Sequence, residues 1–451
     1  MNTPLDDKTR MGLASLARTK LVERFRGQQV AKQVAQPDAG VPARLSLVSE
    51  VSEALCRFDR HPAYEKLLVS QAAAKRFGVD NPFFRVHDGV AGATSRISGR
   101  EHINFSSYNY LGLSGHPRVN KAAKDAIDRY GSSPSASRLV AGERPIQRQL
   151  EQELAAFYGV QACVAFVSGH ATNVSTIGSL FGPKDLVLHD ALAHNSVLEG
   201  IKLSGAHRRS FAHNDWLALD TLLGQMRANF ERVLVVIEGL YSMDGDVPDL
   251  PRFVEVKQRH RAFLMVDEAH ALGTLGATGR GIAEHWRVPA AEVDIWMGTL
   301  SKTLAGCGGY IAGSRALVEL LKYTAPGFVY SVGLAPALAA ASLEALNILQ
   351  SEPQRVTRLQ DNGRLFYEQA RQHGLPTGFS QGHAITAVTI GSSLKATKLS
   401  NALFDRCINV QPIIYPAVEE KAARLRFFLS SQHTPQQMQT ALSALASLAN
   451  P

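Results

Sequence analysis

Gly298-Thr299-Leu300-Ser301-Lys302-Thr303-Leu304-Ala305-Gly306-Cys307-Gly308-Gly309 follows directly on a mostly apolar stretch, Val293 to Met297. A short buried strand here runs out into a loop of small and hydroxyl residues that carries one lysine. A lysine behind such a strand suits covalent capture of an aldehyde, the amine becoming an imine. Threonine and serine hydroxyls with glycine N–H groups suit a phosphate. Together they describe pyridoxal 5′-phosphate (PLP) held on Lys302. Taken alone, the same loop also describes a surface lysine between glycines.

A second segment lies about one strand–helix unit upstream. Phe263-Leu264-Met265-Val266 is a short apolar strand, and it ends in Asp267-Glu268-Ala269-His270-Ala271-Leu272-Gly273. A carboxylate at the carboxyl end of a parallel strand faces the crevice where such folds bind ligands. PLP needs an anionic partner to keep its pyridine nitrogen protonated, and Asp267 suits that role. His270, three residues on, is placed to hydrogen-bond the cofactor's phenolic oxygen. The other reading of the pair is a helix-capping aspartate followed by a histidine satisfied within the fold.

Further motifs stand in order along the chain. They are Asn109-Tyr110-Leu111-Gly112-Leu113, Ser137-Arg138-Leu139, Ser168-Gly169-His170-Ala171-Thr172-Asn173, His189-Asp190 through His194-Asn195-Ser196, and Glu238-Gly239-Leu240-Tyr241-Ser242-Met243-Asp244-Gly245-Asp246. With the Asp267 and Lys302 segments, this series resembles the α-oxoamine synthases. That family of fold-type I PLP enzymes includes 8-amino-7-oxononanoate synthase, 2-amino-3-ketobutyrate CoA ligase and serine palmitoyltransferase. The resemblance runs from about Asn81 to about Leu448. It implies an α/β fold: a large, mostly parallel sheet domain carrying PLP and a smaller α+β C-terminal domain.

The resemblance also implies roles for single residues. His194 matches the histidine that stacks on the cofactor ring. Gly169 and His170 match the turn that receives the phosphate at a helix N-terminus, although His170 stands where the family usually has tyrosine or phenylalanine. Ser242 matches a serine beside the ring, and Thr299 and Ser301 match phosphate-side hydroxyls. Ser331 matches a phosphate contact made from the neighbouring subunit, which implies a homodimer with shared active sites. Asn109 matches a substrate-pocket asparagine. Arg426 matches the arginine that receives the amino-acid carboxylate, for which a planar guanidinium offers two parallel hydrogen bonds. Read without the resemblance, Arg424 and Arg426 are alternating outward residues on a strand.

Two stretches depart from the family pattern. Pro412-Ile413-Ile414-Tyr415-Pro416-Ala417 stands where some members carry Arg-Pro-Pro, so a second arginine is missing. Gly131-Ser132-Ser133-Pro134-Ser135-Ala136 replaces a glycine-rich run. Both fall near the expected binding places of the amino acid or thioester. The variants at Tyr108-Asn109, Ser135 to Arg138 and Tyr415 to Val418 resemble members that serve polyketide assembly lines, and point to a carrier-protein thioester.

The implied reaction is a decarboxylating, Claisen-like condensation of a small amino acid with an acyl thioester on CoA or an acyl carrier protein. Its products are an α-aminoketone, CO₂ and a free thiol. Lys302, Asp267, His194 and His270 are the expected catalytic residues. Transamination or retro-aldol cleavage would use the same Asp267 and Lys302. A non-catalytic partner subunit and a carrier-binding scaffold are the remaining alternatives, and the retained Lys302, Asp267 and His194 argue against the first of these two.

Composition bounds the rest. The chain has 451 residues, 45% hydrophobic and 20% charged, ordinary for a globular protein with more than one domain. No apolar run is long enough to span a bilayer, and the N-terminus lacks the basic start and apolar core of a secretion signal. Cys56, Cys163, Cys307 and Cys407 are far apart and have no metal-ligand spacing. They read as reduced thiols of a cytoplasmic protein without a metal site, and Cys307 reads as a buried structural thiol. The net charge of +8 comes from 48 basic and 40 acidic residues. The basic residues are dispersed, which argues against nucleic-acid binding and suits anionic substrates or an acidic carrier.

The expected organisation is an N-terminal helical extension over residues 1–80, a PLP-binding domain over 81–335 and a C-terminal domain over 336–451. Residues 8–26 read as a basic amphipathic helix, 34–42 as a linker, and 48–77 as further helix interrupted near His61-Pro62. Expected strands are 160–167, 186–189, 233–237, 263–266 and 295–297, with 384–390 and 425–429 in the smaller domain. A long helix is expected over 336–350.

Overall fold

The computed structural model describes residues 52–449. The chain divides into two compact units, the first ending at Ala73 and the second beginning at Ala74. The amphipathic helix expected over 8–26 and the linker at 34–42 lie outside the described residues. Short 3₁₀ turns at Glu53–Cys56 and Phe58–Arg60 precede a helix over Pro62–Arg76. Pro62 opens that helix, where its missing N–H has no intrahelical partner to lose, so the expected break at His61-Pro62 is a helix start.

The second unit carries three sheets. Strands β1 (His87–Asp88), β2 (Thr94–Ile97) and β3 (Arg100–Asn104) form an antiparallel ribbon near its start. The large sheet is built from β4 (Ala162–Phe166), β5 (Leu186–Asp190), β6 (His207–Phe211), β7 (Val233–Glu238), β8 (Phe263–Asp267), β9 (Ile295–Thr299) and β10 (Gly309–Gly313). Its order is β4-β10-β9-β8-β7-β5-β6. The pairs from β6 through β9 are parallel, and β10 runs antiparallel to both of its neighbours. Last come β11 (Ile385–Thr389), β12 (Ile408–Asn409), β13 (Gln411–Ile413) and β14 (Arg424–Phe428). Strands β11, β14 and β13 make an antiparallel sheet, while β12 joins β3 in parallel. The expected boundary at 335/336 crosses one sheet: β3, from before it, pairs with β12, from after it.

Burial explains the large sheet. All six residues of β7 are buried, as in a parallel strand covered on both faces. Val233, Val235 and Ile237 enter one apolar cluster, and Leu234 and Val236 enter the other. Two strands of the large sheet are not among those expected from the sequence. In β6, His-Arg-Arg-Ser-Phe, the first four residues are exposed, and basic side chains suit an unpaired sheet edge. In β10 the flanking glycines read as loop. The structure needs Gly309, because a Cβ there would lie 2.5 Å from Thr172 Oγ1 and 2.7 Å from Gly169 Cα.

Parallel order sets the carboxyl ends of β5, β7, β8 and β9 along one edge. Antiparallel β10 begins there too, pairing Gly309 with both Phe166 and Thr299. Asp190, Glu238, Asp267 and Thr299 thus end neighbouring strands on the same side.

Candidate active site

A cavity of about 210 Å³ opens at that edge. It gathers Lys302, Asp267, His194, His270, Ser242, Thr299 and Ser301, together with Gly169 and His170. A second cavity of about 300 Å³, lined by Tyr108, Asn109 and Ser107 among others, shares Ser301 and Lys302 with the first. Lys302 therefore stands in the wall between two cavities. A larger groove of about 740 Å³ lies at the opposite edge of the sheet, among Phe181, Phe263 and Leu317, and contains none of the expected site residues.

Burial pushes the Lys302 amine down to about 8 from its ordinary 10.5. The charge of Arg426 adds to this, and the carboxylates of Asp267 and Glu238 oppose it. The Nζ lies 5.4 Å from the centre of the Tyr108 ring. An amine tuned in this way has a large neutral fraction near neutrality and can act as nucleophile or base.

Asp267 is held from both sides. Its Oδ1 accepts the Ala269 N–H at 3.0 Å, and its Oδ2 accepts Asn173 Nδ2 at 2.9 Å. The fixed carboxylate is buried at the end of β8. Glu238, at the end of β7, accepts the His194 N–H at 2.8 Å. Burial and the neighbouring Asp267 charge push the Glu238 carboxyl well up from its ordinary range, with Lys302 opposing.

His194 caps the helix Asn195–Ser204, and its Nδ1 lies 2.7 Å from Ser196 Oγ. His270 is buried; its Nδ1 lies 2.7 Å from the Tyr110 hydroxyl, and its ring stacks on Phe428 with planes 8° apart. Burial, with the cations Lys302 and Arg426, keeps His270 neutral far below its usual range. On the side expected to receive the phosphate, Ser168 caps the helix Gly169–Leu180. The Thr299 hydroxyl donates to the Gly308 carbonyl at 2.9 Å and accepts the Ser301 N–H at 3.2 Å, while Ser301 Oγ accepts the Gly308 N–H at 3.2 Å. The first turn of that helix and the two hydroxyls line the same cavity, a combination that suits an anion.

Three expected residues lie elsewhere. Asn109 is in the second cavity, its amide tied to the backbone of Ser114 through both the carbonyl (3.2 Å) and the N–H (3.0 Å). Arg426 lines neither cavity. It reaches behind the first to donate to the Ser242 carbonyl at 2.9 Å, its guanidinium lies over Phe428, and its Nε is buried without a hydrogen-bond partner. Ser331 is away from both cavities, its hydroxyl donating to the Val332 carbonyl at 3.2 Å. The Cys307 thiol is exposed, which corrects its reading as a buried structural group.

The donor set fits PLP. A tuned amine, a fixed carboxylate and an anion cradle surround a single cavity, and the buried Asn173 Oδ1 beside it lacks a partner. Residues 100–445 match the family described as Aminotransferase class I and II. The chain is 38% identical to the 8-amino-7-oxononanoate synthase of Thermoanaerobacter pseudethanolicus, over 80% of this chain and 90% of that one. It is 41% identical to the enzyme of that name from Methylococcus capsulatus, over 78% and 90%. Among solved structures, a serine palmitoyltransferase from S. paucimobilis with PLP bound superposes with a TM-score of 0.82 at 29% identity, covering 86% of this chain and 97% of that one. The chain belongs to the α-oxoamine synthase family. As an α-oxoamine synthase it has the fold-type I architecture and uses PLP.

Several residues at this α-oxoamine synthase site carried no assigned role in the sequence reading. Glu238 ends its strand as Asp267 ends the next, a parallel that marks it once strand order is known. Tyr110, Asn173 and Ser196 each hydrogen-bond an expected residue, and Asn173 and Ser196 also line the cavity. Their signal was their place inside quoted motifs, and only the fold shows which neighbour each one holds.

Proposed function

We propose that this chain condenses a small amino acid with an acyl thioester, on CoA or an acyl carrier protein, releasing CO₂ and the free thiol and yielding an α-aminoketone. The observation that carries this reading is Lys302, an amine with a pKa of about 8 standing between two cavities that share it. One cavity has the donor set for the cofactor, and the other offers space for a second substrate. Lys302 would hold PLP, Asp267 would face its ring nitrogen, His194 its ring, and His270 and Ser242 its flank. Ser168, Gly169, Thr299 and Ser301 would receive the phosphate.

Bound PLP supplies an electron sink for charge that develops at the amino acid's Cα. The chain's own residues do the rest. The Lys302 amine takes the Cα proton and returns one to the product, a role its depressed pKa suits near neutral pH. His194 offers a ring nitrogen to the amino-acid carboxylate from the cavity wall. Arg426 lies behind Ser242 with an unpartnered Nε, so a modest shift of its guanidinium would bring a cation to the same carboxylate.

The active unit in this reading is a homodimer. Leu139, Val140, Tyr330 and Val332 are exposed apolar side chains on segments tied together by the Gly333 N–H to Ala136 carbonyl bond. Ser331 sits among them, where it would serve the neighbouring copy's phosphate. Glycine, alanine and serine, offered in turn to the PLP-loaded enzyme, test the reading. One should shift the cofactor's absorption and, only with an acyl thioester added, release thiol. Thiol release with no amino acid present, or an absorption change leading to keto-acid product, would contradict it. Offering the same acyl group on CoA and on an acyl carrier protein then separates the two donors.

A further inference from the structure

His194 is joined to Asp267 by a short chain of hydrogen bonds. Asn173 Nδ2 lies 2.9 Å from Asp267 Oδ2 and 2.9 Å from Ser196 Oγ. Ser196 Oγ lies 2.7 Å from His194 Nδ1, and the Ser196 backbone N–H points at the same Nδ1 at 3.3 Å. Asn173 and Ser196 are buried.

Each link has one consistent direction. A carboxylate can only accept, so the atom facing Asp267 is the Asn173 amide nitrogen. The flipped amide would set its oxygen against the Asp267 oxygen. The nitrogen's second hydrogen then goes to Ser196 Oγ. A serine hydroxyl has one hydrogen, and His194 Nδ1 is the acceptor within its reach. The Ser196 N–H, fixed by the first turn of the helix, also donates to Nδ1. A hydrogen on Nδ1 would face that N–H head-on.

We propose that Ser196 and Asn173 are positioning residues that fix His194 in the tautomer with Nδ1 bare and Nε2 protonated. The ring then offers the cavity a single donor and no base. Proton transfer at Cα falls to Lys302 alone, and Nε2–H serves to hold an acceptor oxygen, the amino-acid carboxylate in the reading above. The identity of that acceptor rests on the proposed condensation; the tautomer does not. Burial lowers the pKa of His194, with Lys302 and His170 adding to the shift and Asp267 opposing it, and the net shift favours the uncharged ring.

The test uses PLP-loaded enzyme labelled with ¹⁵N in its histidines. Long-range ¹H–¹⁵N correlations report which ring nitrogen carries hydrogen, and the His194 signals are those lost in His194→Asn. The expected spectrum has Nε2 protonated and Nδ1 bare. Protonation at Nδ1, or an even average of the two, would overturn the proposal. In Ser196→Ala only the longer backbone N–H contact is left on Nδ1, so the Nδ1-protonated tautomer should gain population, and the amino-acid KM should rise about tenfold, the size of one hydrogen bond to a charged group. Cα–H exchange at saturating amino acid should change less than about twofold, and Ser196→Thr should restore both. Unchanged tautomer and KM in Ser196→Ala would refute the positioning role. Should that variant not fold, the wild-type spectrum decides alone. It needs no substrate, so it stands or falls separately from the condensation.

Discussion

Lys302 shows how one residue's surroundings prepare its chemistry. Its pKa near 8 means that the neutral amine gains with pH and levels off above that value. Uptake of PLP by the apoenzyme should therefore speed up as pH rises and plateau beyond about 8; a rise continuing to the ordinary 10.5 of lysine would show an unburied amine. The same shift acts on stability. Between about 8 and 10.5 the unfolded chain holds a proton that the folded lysine has released, so the apoenzyme should gain stability with pH across that window. Asp267→Asn is close to isosteric and keeps the Ala269 contact, yet removes the charge. We expect a folded variant that has lost most Cα–H exchange, read as deuterium washout; near-normal washout would refute the electron-sink role. These residues were legible because lysine and aspartate stand at strand ends in an order that few other sites share. Arg426 was legible as a guanidinium on a strand, but its contact with the Ser242 carbonyl depends on β14 packing against the 239–246 loop.

At the scale of elements, that loop is gripped from the C-terminal domain. The Arg424 guanidinium pairs with Asp244, Ser380 Oγ donates to the Asp244 carbonyl at 2.6 Å, and Arg426 holds Ser242. Gly245 sits at φ 77°, and a Cβ there would come within 2.0 Å of the Ile385 carbonyl oxygen. Gly245→Ala should destabilise the protein by about 1–3 kcal/mol. It should also weaken amino-acid binding by displacing Ser242, which thermal melts and KM would show together; an unchanged melt would mean that the loop is not clamped. Elements with apolar runs could be read from sequence to within a residue or two. The expected strand at 233–237 is Val233–Glu238, and the expected helix at 336–350 is Pro336–Ser351. Strands β6 and β10 could not, because an exposed basic edge and a glycine-flanked triad carry no burial pattern of their own. Short β12 and β13 owe their form to their partners β3 and β14.

At the scale of the whole molecule, the reading requires two chains. Ser331 lies outside its own protomer's cavities, so inactive Lys302→Ala and inactive Ser331→Ala chains, once mixed, should form heterodimers with one intact site and recover part of the activity. A fully active monomer at assay concentration would contradict shared sites. The condensation is decided by its stoichiometry. The enzyme is given a carboxyl-labelled amino acid and an acyl thioester, and CO₂, thiol and aminoketone are counted in the same reaction. The three should appear one to one to one, none without the thioester, and none from Lys302→Ala. Keto acid formed without thioester, or thiol released without CO₂, would contradict it.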